Sequence, residues 1–462
     1  MRTTLMSSGC AVSAWAKRSS GTRRVMPLQP ADVGPGQGGP DPVRRASEIR
    51  GWSPAGRPSN RIRPTDARCP TRGSAGPGDG AAEDSVAGRH AAEKGVSPDH
   101  TAGRSPPWQD SCMELTVRGL RHNLLVRGPV DGPPVLLIHG NCSSAAFWEP
   151  LVRLLPEHWR IVAPDLRGYG STDAAPVDAT RGLRDFADDL AALLDAQEVF
   201  PAGTRPVVVA HSMGGGVAMQ LLIDAPERIA ALLLEAPLSP YGFGLGGAGA
   251  ANPDFVARLE AGDRGDDSPA CPRTILRTYY VADPASLGAD EELLLDAVLS
   301  TATGEGNYPG DAVACDDWPG MGAGRRGVLN AMAPQWFDVA DDLVAVPGKP
   351  HVTWVRGAAD QIVSDTSLFD LAYLGKLGAV PGWPGEELCP PQPMVTETRA
   401  VLDRYTEAGG SYEEIVYEGV GHSPHIERTA DFAAIVTRVV ADTAAGSVTG
   451  SVTGAAADAP GR

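Results

Sequence analysis

The chain has 462 residues, 42% hydrophobic and 21% charged, which is enough apolar material for two or three packed domains and too much for a wholly disordered chain. Charge is uneven: residues 1–112 carry 16 basic against 10 acidic side chains, and the remainder carries 24 against 47, a net of −23. Such an acidic body repels phosphate backbones, which argues against nucleic-acid binding, and the absence of any run of 18 apolar residues argues against a spanning helix.

Residues 1–112 hold 28 Gly and Pro but only 10 Leu, Ile, Val or Phe, too little apolar surface to offset the entropy of ordering. The segment is therefore expected to be disordered. Its first 30 residues are rich in Arg and Ser and free of acid, a superficial likeness to a transit peptide, but they contain no apolar stretch of the secretory kind. Hydrophobic patterning begins at once after Met113. Met113 is accordingly read as the start of the native chain, with the upstream segment untranslated or without function.

From there the pattern predicts an antiparallel pair over 116–126 around Gly119, then a fully apolar strand, Pro134-Val-Leu-Leu-Ile138. A second such run follows at 160–163. Leu183, Phe186, Leu190, Leu193 and Leu194 recur at helical spacing, and strands at 206–210 and 231–234 flank a helix opening at Ser212. Strands alternating with helices imply a mostly parallel sheet covered on both faces. The alternation stops between 238 and 346, where Gly and Pro accumulate, and this stretch is read as an inserted lid. The sheet resumes at 351–355. A second insertion over 364–393 precedes a helix near 395–405, a last strand over 412–417 and a final helix over 431–440. The expected organisation is thus a core in two parts, 113–237 and 347–443, a lid at 238–346, and a disordered tail at 444–462 with a tandem Gly-Ser-Val-Thr repeat.

The chemistry-bearing signals sit just past predicted strands. In Val207-Val-Val-Ala-His-Ser212-Met-Gly-Gly-Gly216, a serine ends an apolar strand and has Ala210 and Gly214 two residues to either side. A turn that tight needs small neighbours and lifts the hydroxyl above the sheet. The alternative is an N-cap serine that merely opens a helix. The remaining signals are Leu137-Ile-His139-Gly140-Asn141-Cys142, the loop Arg356-Gly357-Ala-Ala-Asp360, and the loop Gly419-Val-Gly421-His422-Ser-Pro-His425-Ile-Glu427. Each lies where an open α/β sheet places its reactive groups.

Ser, Asp and His in that chain order, each after a strand, resemble the α/β-hydrolase superfamily, in the lid-bearing branch of esterases, lactonases and carbon–carbon bond hydrolases. The resemblance covers about residues 115 to 440. It implies an α/β-hydrolase fold, with Ser212 as nucleophile, His422 as general base and Asp360 as the acid that orients it. Backbone N–H groups of Asn141 and Met213 are implied as the oxyanion hole. Asp365 and His425 are the rival acid and rival histidine, and His139 is read as structural, as is the loop from Asp165 to Asp173. Relatives that open epoxides or carbon–halogen bonds place Asp where Ser212 stands, so those chemistries are excluded.

The implied activity is hydrolysis of an ester, thioester or lactone of a small, largely apolar molecule through an acyl-enzyme. Carbon–carbon bond hydrolysis, cofactor-free perhydrolysis and a triad-bearing small-molecule receptor remain as alternatives. Trp318, Trp336, Phe337, Tyr279 and Tyr280 are candidate lid aromatics, and Tyr373 and Trp383 candidates for the entrance. Seven scattered cysteines form no C-x-x-C pair, so free thiols, a cytoplasmic setting and no metal or organic cofactor are expected.

Overall fold

The computed structural model describes residues 112–446. The segments expected to be disordered therefore lie almost wholly outside the described residues. Two corrections fall at their edges: Cys112 belongs to the first strand, and the last helix continues through Ala444.

Eight strands make one sheet. They are β1 (Cys112–Val117), β2 (Leu120–Arg127), β3 (Pro134–Ile138), β4 (Arg160–Pro164), β5 (Val207–His211), β6 (Ala231–Glu235), β7 (Val352–Gly357) and β8 (Tyr412–Tyr417). Their order across the sheet is β1-β2-β4-β3-β5-β6-β7-β8. The β1–β2 and β2–β4 pairs are antiparallel, and every pair from β4 to β8 is parallel. Registers Ile138 to Ala210, His211 to Glu235 and Gly357 to Tyr417 bring the C-terminal ends of these strands to one edge. The loops that leave that edge carry the residues singled out above.

Period-two alternation along the strands sorts their apolar side chains between two buried layers. Leu136, Ile138, Val208, Leu232 and Trp354 face helices α1 (Arg184–Asp195), α2 (Met213–Asp224) and the later helix over Met394–Glu407, whose Phe186, Val217 and Tyr405 fill that side. Val135, Leu137, Val209, Leu233 and Val355 face Trp148, Leu151 and the last helix, Thr429–Ala444, through its Phe432 and Val436. Cover on both faces is why β3, β5 and β6 read as unbroken apolar runs.

Between β6 and β7 the chain leaves the sheet. Helices α3 (Pro253–Glu260) and α4 (Glu291–Leu299) pack Phe255, Leu259, Leu294 and Leu295 with Leu276 of a π-helical turn, Leu276–Tyr280. This third cluster also takes in Cys142, Phe147 and Ile426, so the insertion rests on segments at the C-terminal edge of the parallel strands. Helix α5 is the Met394–Glu407 element and α6 the Thr429–Ala444 element.

Candidate active site

Ser212 occupies the turn between β5 and α2 with φ 55° and ψ −121°. Left-handed backbone at a residue with a Cβ costs of order 1–3 kcal/mol and persists only where its surroundings enforce it. Here the Ser212 N–H donates to the Glu235 carbonyl at 2.9 Å, and the Ser212 carbonyl accepts from Gly215 and Leu238, each at 2.9 Å. Although Ser212 precedes the helix, its side chain makes no capping bond, so the N-cap alternative finds no hydrogen bond to support it. Gly214 is required by space: a Cβ there would lie 2.5 Å from the His139 carbonyl oxygen and 2.6 Å from that of Ile138.

His422 and Asp360, on the loops after β8 and β7, meet through Nδ1 and Oδ2 at 2.8 Å, with both side chains 2% exposed. The other carboxylate oxygen of Asp360 accepts the N–H groups of Ile362 at 2.7 Å and Val363 at 3.0 Å. Asp365, in contrast, is exposed and binds the first turn of α5, accepting from Val395 N, Thr396 N and Thr396 Oγ1. It does not join His422.

His425 is fully buried and turns away from the cavity. Its backbone N–H donates to Glu235 at 2.7 Å, its Nδ1 lies 2.9 Å from the same carboxylate, and its ring lies 4.6 Å from that of Trp148. His139 Nε2 accepts the Leu166 N–H at 2.9 Å, so its Nδ1 carries the proton and donates to the Gly140 carbonyl at 2.8 Å. Burial drives its pKa down to about 4, which keeps this anchor neutral. Asp165 in the neighbouring loop accepts from Asn123 Nδ2, Ala145 N and Ser171 N.

Ser212, Met213, Asn141 and His422 all line one cavity of about 290 Å³. Met213 opens the twelve-residue helix α2, whose N-terminal N–H groups and dipole favour negative charge at this end. The Asn141 side chain accepts the Tyr169 hydroxyl at 2.7 Å, and its carbonyl accepts the Tyr280 hydroxyl at 3.0 Å. No hydrogen bond from the described residues takes up the Asn141 N–H. The Cys142 thiol also lines the cavity, but burial pushes its pKa up to about 12, so it stays protonated.

Most of the remaining wall is apolar and comes from both insertions, including Phe243, Phe255, Leu329 and Met332 from the first and Leu368 and Phe369 from the second, while Asn252, Asp254 and Ser268 add polar groups. Of the aromatic residues proposed from sequence for the lid, Tyr279 and Tyr280 reach the cavity. Phe337 instead packs in the core on the α2 face, and Trp336 packs against that core with its Nε1 on the Gly324 carbonyl. Trp318 lines a neighbouring cavity of about 90 Å³ with Met321 and Cys389. Trp383 donates to the Cys389 carbonyl and Tyr373 packs beside Leu371 and Leu374, neither on the cavity wall. Phe243, Phe255, Met332, Tyr169 and Glu427 were not assigned from sequence, and no local spacing marks the first three.

Asp263, Asp267 and Cys271 bring three potential metal-ligand atoms within 4.8 Å, but Arg258 Nη1 lies among them, bonded to Asp263 and 3.2 Å from the Cys271 sulfur. The guanidinium supplies the positive charge there. Among the described residues, no helix is long and apolar enough to cross a membrane.

A sequence model for the alpha/beta hydrolase family matches residues 135–435. The chain is similar to lipase LipV of Mycobacterium tuberculosis, 34% identical over 247 residues, which are 52% of this chain and 80% of that protein. It is 44% identical over 110 residues to the RutD protein of Variovorax paradoxus, covering 24% of this chain and 40% of that one. It is also 34% identical over 149 residues to a 2-hydroxymuconate semialdehyde hydrolase of Pseudomonas sp., covering 31% and 50%. The chain thus spans half or less of the length of several curated relatives that it matches. The crystal structure of esterase RhEst1 from Rhodococcus sp. is similar at 20% identity and a TM-score of 0.44, over 72% of this chain and 99% of that one.

Proposed function

The chain belongs to the alpha/beta hydrolase family, and on that premise we propose that it is a serine hydrolase of carboxylic esters, with Ser212, His422 and Asp360 as its catalytic residues. The observation that carries this reading is that His422, paired with buried Asp360 at 2.8 Å, lines the same cavity as Ser212 in its strained turn.

In the proposed reaction the Ser212 oxygen attacks the ester carbonyl while His422 Nε2 takes its proton. Asp360 holds the Nδ1 proton, fixes the tautomer and stabilises the imidazolium that forms. The tetrahedral oxygen draws on the N–H groups of Met213 and Asn141, each worth roughly 3–4 kcal/mol in a dry site. Collapse expels the alcohol, which receives the proton from His422 and leaves an acyl group on Ser212. Water, activated by the same imidazole, then releases the acid and restores the serine.

Apolar walls from Phe243, Phe255 and Met332 support a largely apolar ester, thioester or lactone as substrate, and the inserted segment 238–346 serves as the lid, apart from its last part around Trp336 and Phe337, which packs on the core. Carbon–carbon bond hydrolysis on the same three residues is the second reading. It is supported by the partial similarity to the hydrolase of 2-hydroxymuconate semialdehyde. A panel of p-nitrophenyl esters of graded acyl length separates the two. The ester reading expects turnover of short and medium acyl groups that Ser212→Ala reduces by at least about a thousandfold. Turnover unchanged in that variant contradicts it.

A further inference from the structure

We propose that Tyr280, supplied by the inserted segment, is a positioning residue for the oxyanion hole, so that the insertion helps build the catalytic geometry as well as roofing the cavity. The proposal rests on the serine-hydrolase reading above.

The Tyr280 hydroxyl lies 3.0 Å from the Asn141 carbonyl oxygen and 3.1 Å from that of Cys142. Two successive carbonyls therefore converge on one O–H. Burial holds the phenol pKa well above its usual value, so the group remains a donor. The backbone that makes this convergence is unusual, because Cys142 adopts φ 46°, one of four left-handed non-glycine residues among those described. A strained loop keeps its conformation only if its polar groups are held from outside.

Each neighbouring acceptor of this loop is bound by a different part of the fold. His139 Nδ1 holds the Gly140 carbonyl, which shares a peptide plane with the Asn141 N–H. The Tyr169 hydroxyl holds the Asn141 side chain, and Tyr280 holds the next two carbonyls. Of these three anchors, only Tyr280 comes from outside the sheet and its loops. Its ring also stands edge-on to His422, with centroids 6.2 Å apart and planes at 87°.

The segment carrying Tyr280 is itself pinned to the histidine loop. Glu427 accepts the N–H groups of Ala282 at 2.9 Å and Asp283 at 3.0 Å, and that of Gly421 at 2.6 Å. Gly421 allows the approach, because a Cβ there would sit 2.7 Å from the Ala282 nitrogen. The π-helical turn ending at Tyr280 adds a residue to the turn and aims the phenol inward; such turns recur at functional sites. One short stretch, 280–283, thus touches the loop of the proposed oxyanion donor and the loop of the proposed base.

Tyr280→Phe in the full chain is the test, because it removes only the hydroxyl and keeps the ring against His422. Loss of alignment at an oxyanion donor is expected to lower kcat by roughly tenfold to a hundredfold while KM stays within about twofold. Affinity for phenylboronic acid provides the second readout. The Ser212 oxygen adds to boron, its proton passes to His422, and the resulting tetrahedral boronate needs the oxyanion hole. Boronate affinity is expected to fall in step with kcat, whereas affinity for the neutral alcohol product stays unchanged. Tyr280→Leu, which lacks both the hydroxyl and the ring, should lose at least as much kcat and boronate affinity as the Phe variant, and replaces it if the Phe protein does not accumulate. A kcat within twofold of wild type, or a change confined to KM, overturns the proposal. Failure of the serine-hydrolase reading is distinguishable, since it appears as activity that survives Ser212→Ala whatever residue 280 is.

Discussion

The imidazole of His211 meets the backbone carbonyl of His422 through Nε2 at 3.0 Å. The residue next to the proposed nucleophile therefore tethers the loop that carries the proposed base, and the two rings lie 4.7 Å apart. A carbonyl can only accept, so Nε2 is the protonated nitrogen. Burial, reinforced by His422 and His425 nearby, holds the His211 pKa well below its ordinary value and keeps the ring neutral.

His211→Phe keeps the ring volume but orphans the His422 carbonyl in a buried site. An unsatisfied buried acceptor costs about 1–3 kcal/mol, and a loosened base loop should lower kcat by roughly tenfold. Denaturant unfolding and steady-state kinetics check both parts. Unchanged stability with unchanged kcat contradicts the tether.

The two candidate acids separate cleanly. Asp360→Asn leaves the geometry near His422 but removes the charge that stabilises its imidazolium, and kcat should fall by about 10,000-fold. Asp365→Ala should leave kcat within about twofold and cost about 1 kcal/mol, because Asp365 accepts N–H groups at the start of α5. Kinetics and melting of the two variants side by side decide the matter, and a larger kcat loss at Asp365 reverses the assignment.

Much of this was readable before the fold. Ser212 stood out because a strand-to-helix turn tolerates only small flanking residues, and the space left for Gly214 bears that constraint out. The runs that became β3, β5 and β6 were legible because burial on both faces leaves no polar position in them. The cavity wall was not. Phe243, Phe255 and Met332 converge from separate parts of an insertion rich in glycine, where no period links them. Phe337 and Trp336 look like equally good wall residues in sequence, yet both pack on the α2-side core. Tyr280 could be named as a lid aromatic, but its direction depends on a π-helical turn that a 3.6-residue period does not anticipate.

Stability should fall on mild acidification, before the carboxylates titrate. His139, with its pKa depressed to about 4, and His211 and His122, both lowered mainly by burial, are held neutral in the folded chain. In the unfolded chain each takes up a proton near pH 6.5. Their contribution is therefore complete above about pH 6.5 and is lost as pH falls toward 4. Melting temperatures should hold from pH 7.5 to about 6.5 and then decline as the pH falls to 5. A flat or rising profile contradicts the picture of three buried neutral imidazoles.

Gly214→Ala tests the tightness of the turn itself. The added Cβ would press on the His139 and Ile138 carbonyl oxygens, which are backbone atoms and cannot rotate away. Overpacking of this kind costs about 1–3 kcal/mol. Because Gly214 abuts the strand leading to Asn141, activity should fall with stability. An alanine variant as stable and active as wild type means that the turn is looser than described.

The most direct measurement is the mass of the intact chain after incubation with a fluorophosphonate, followed by peptide mapping. A hydroxyl activated by His422 and Asp360 should gain a single phosphonyl group, mapped to Ser212, and the Ser212→Ala chain should gain none. A label on another residue, or one that persists in the alanine chain, contradicts the account.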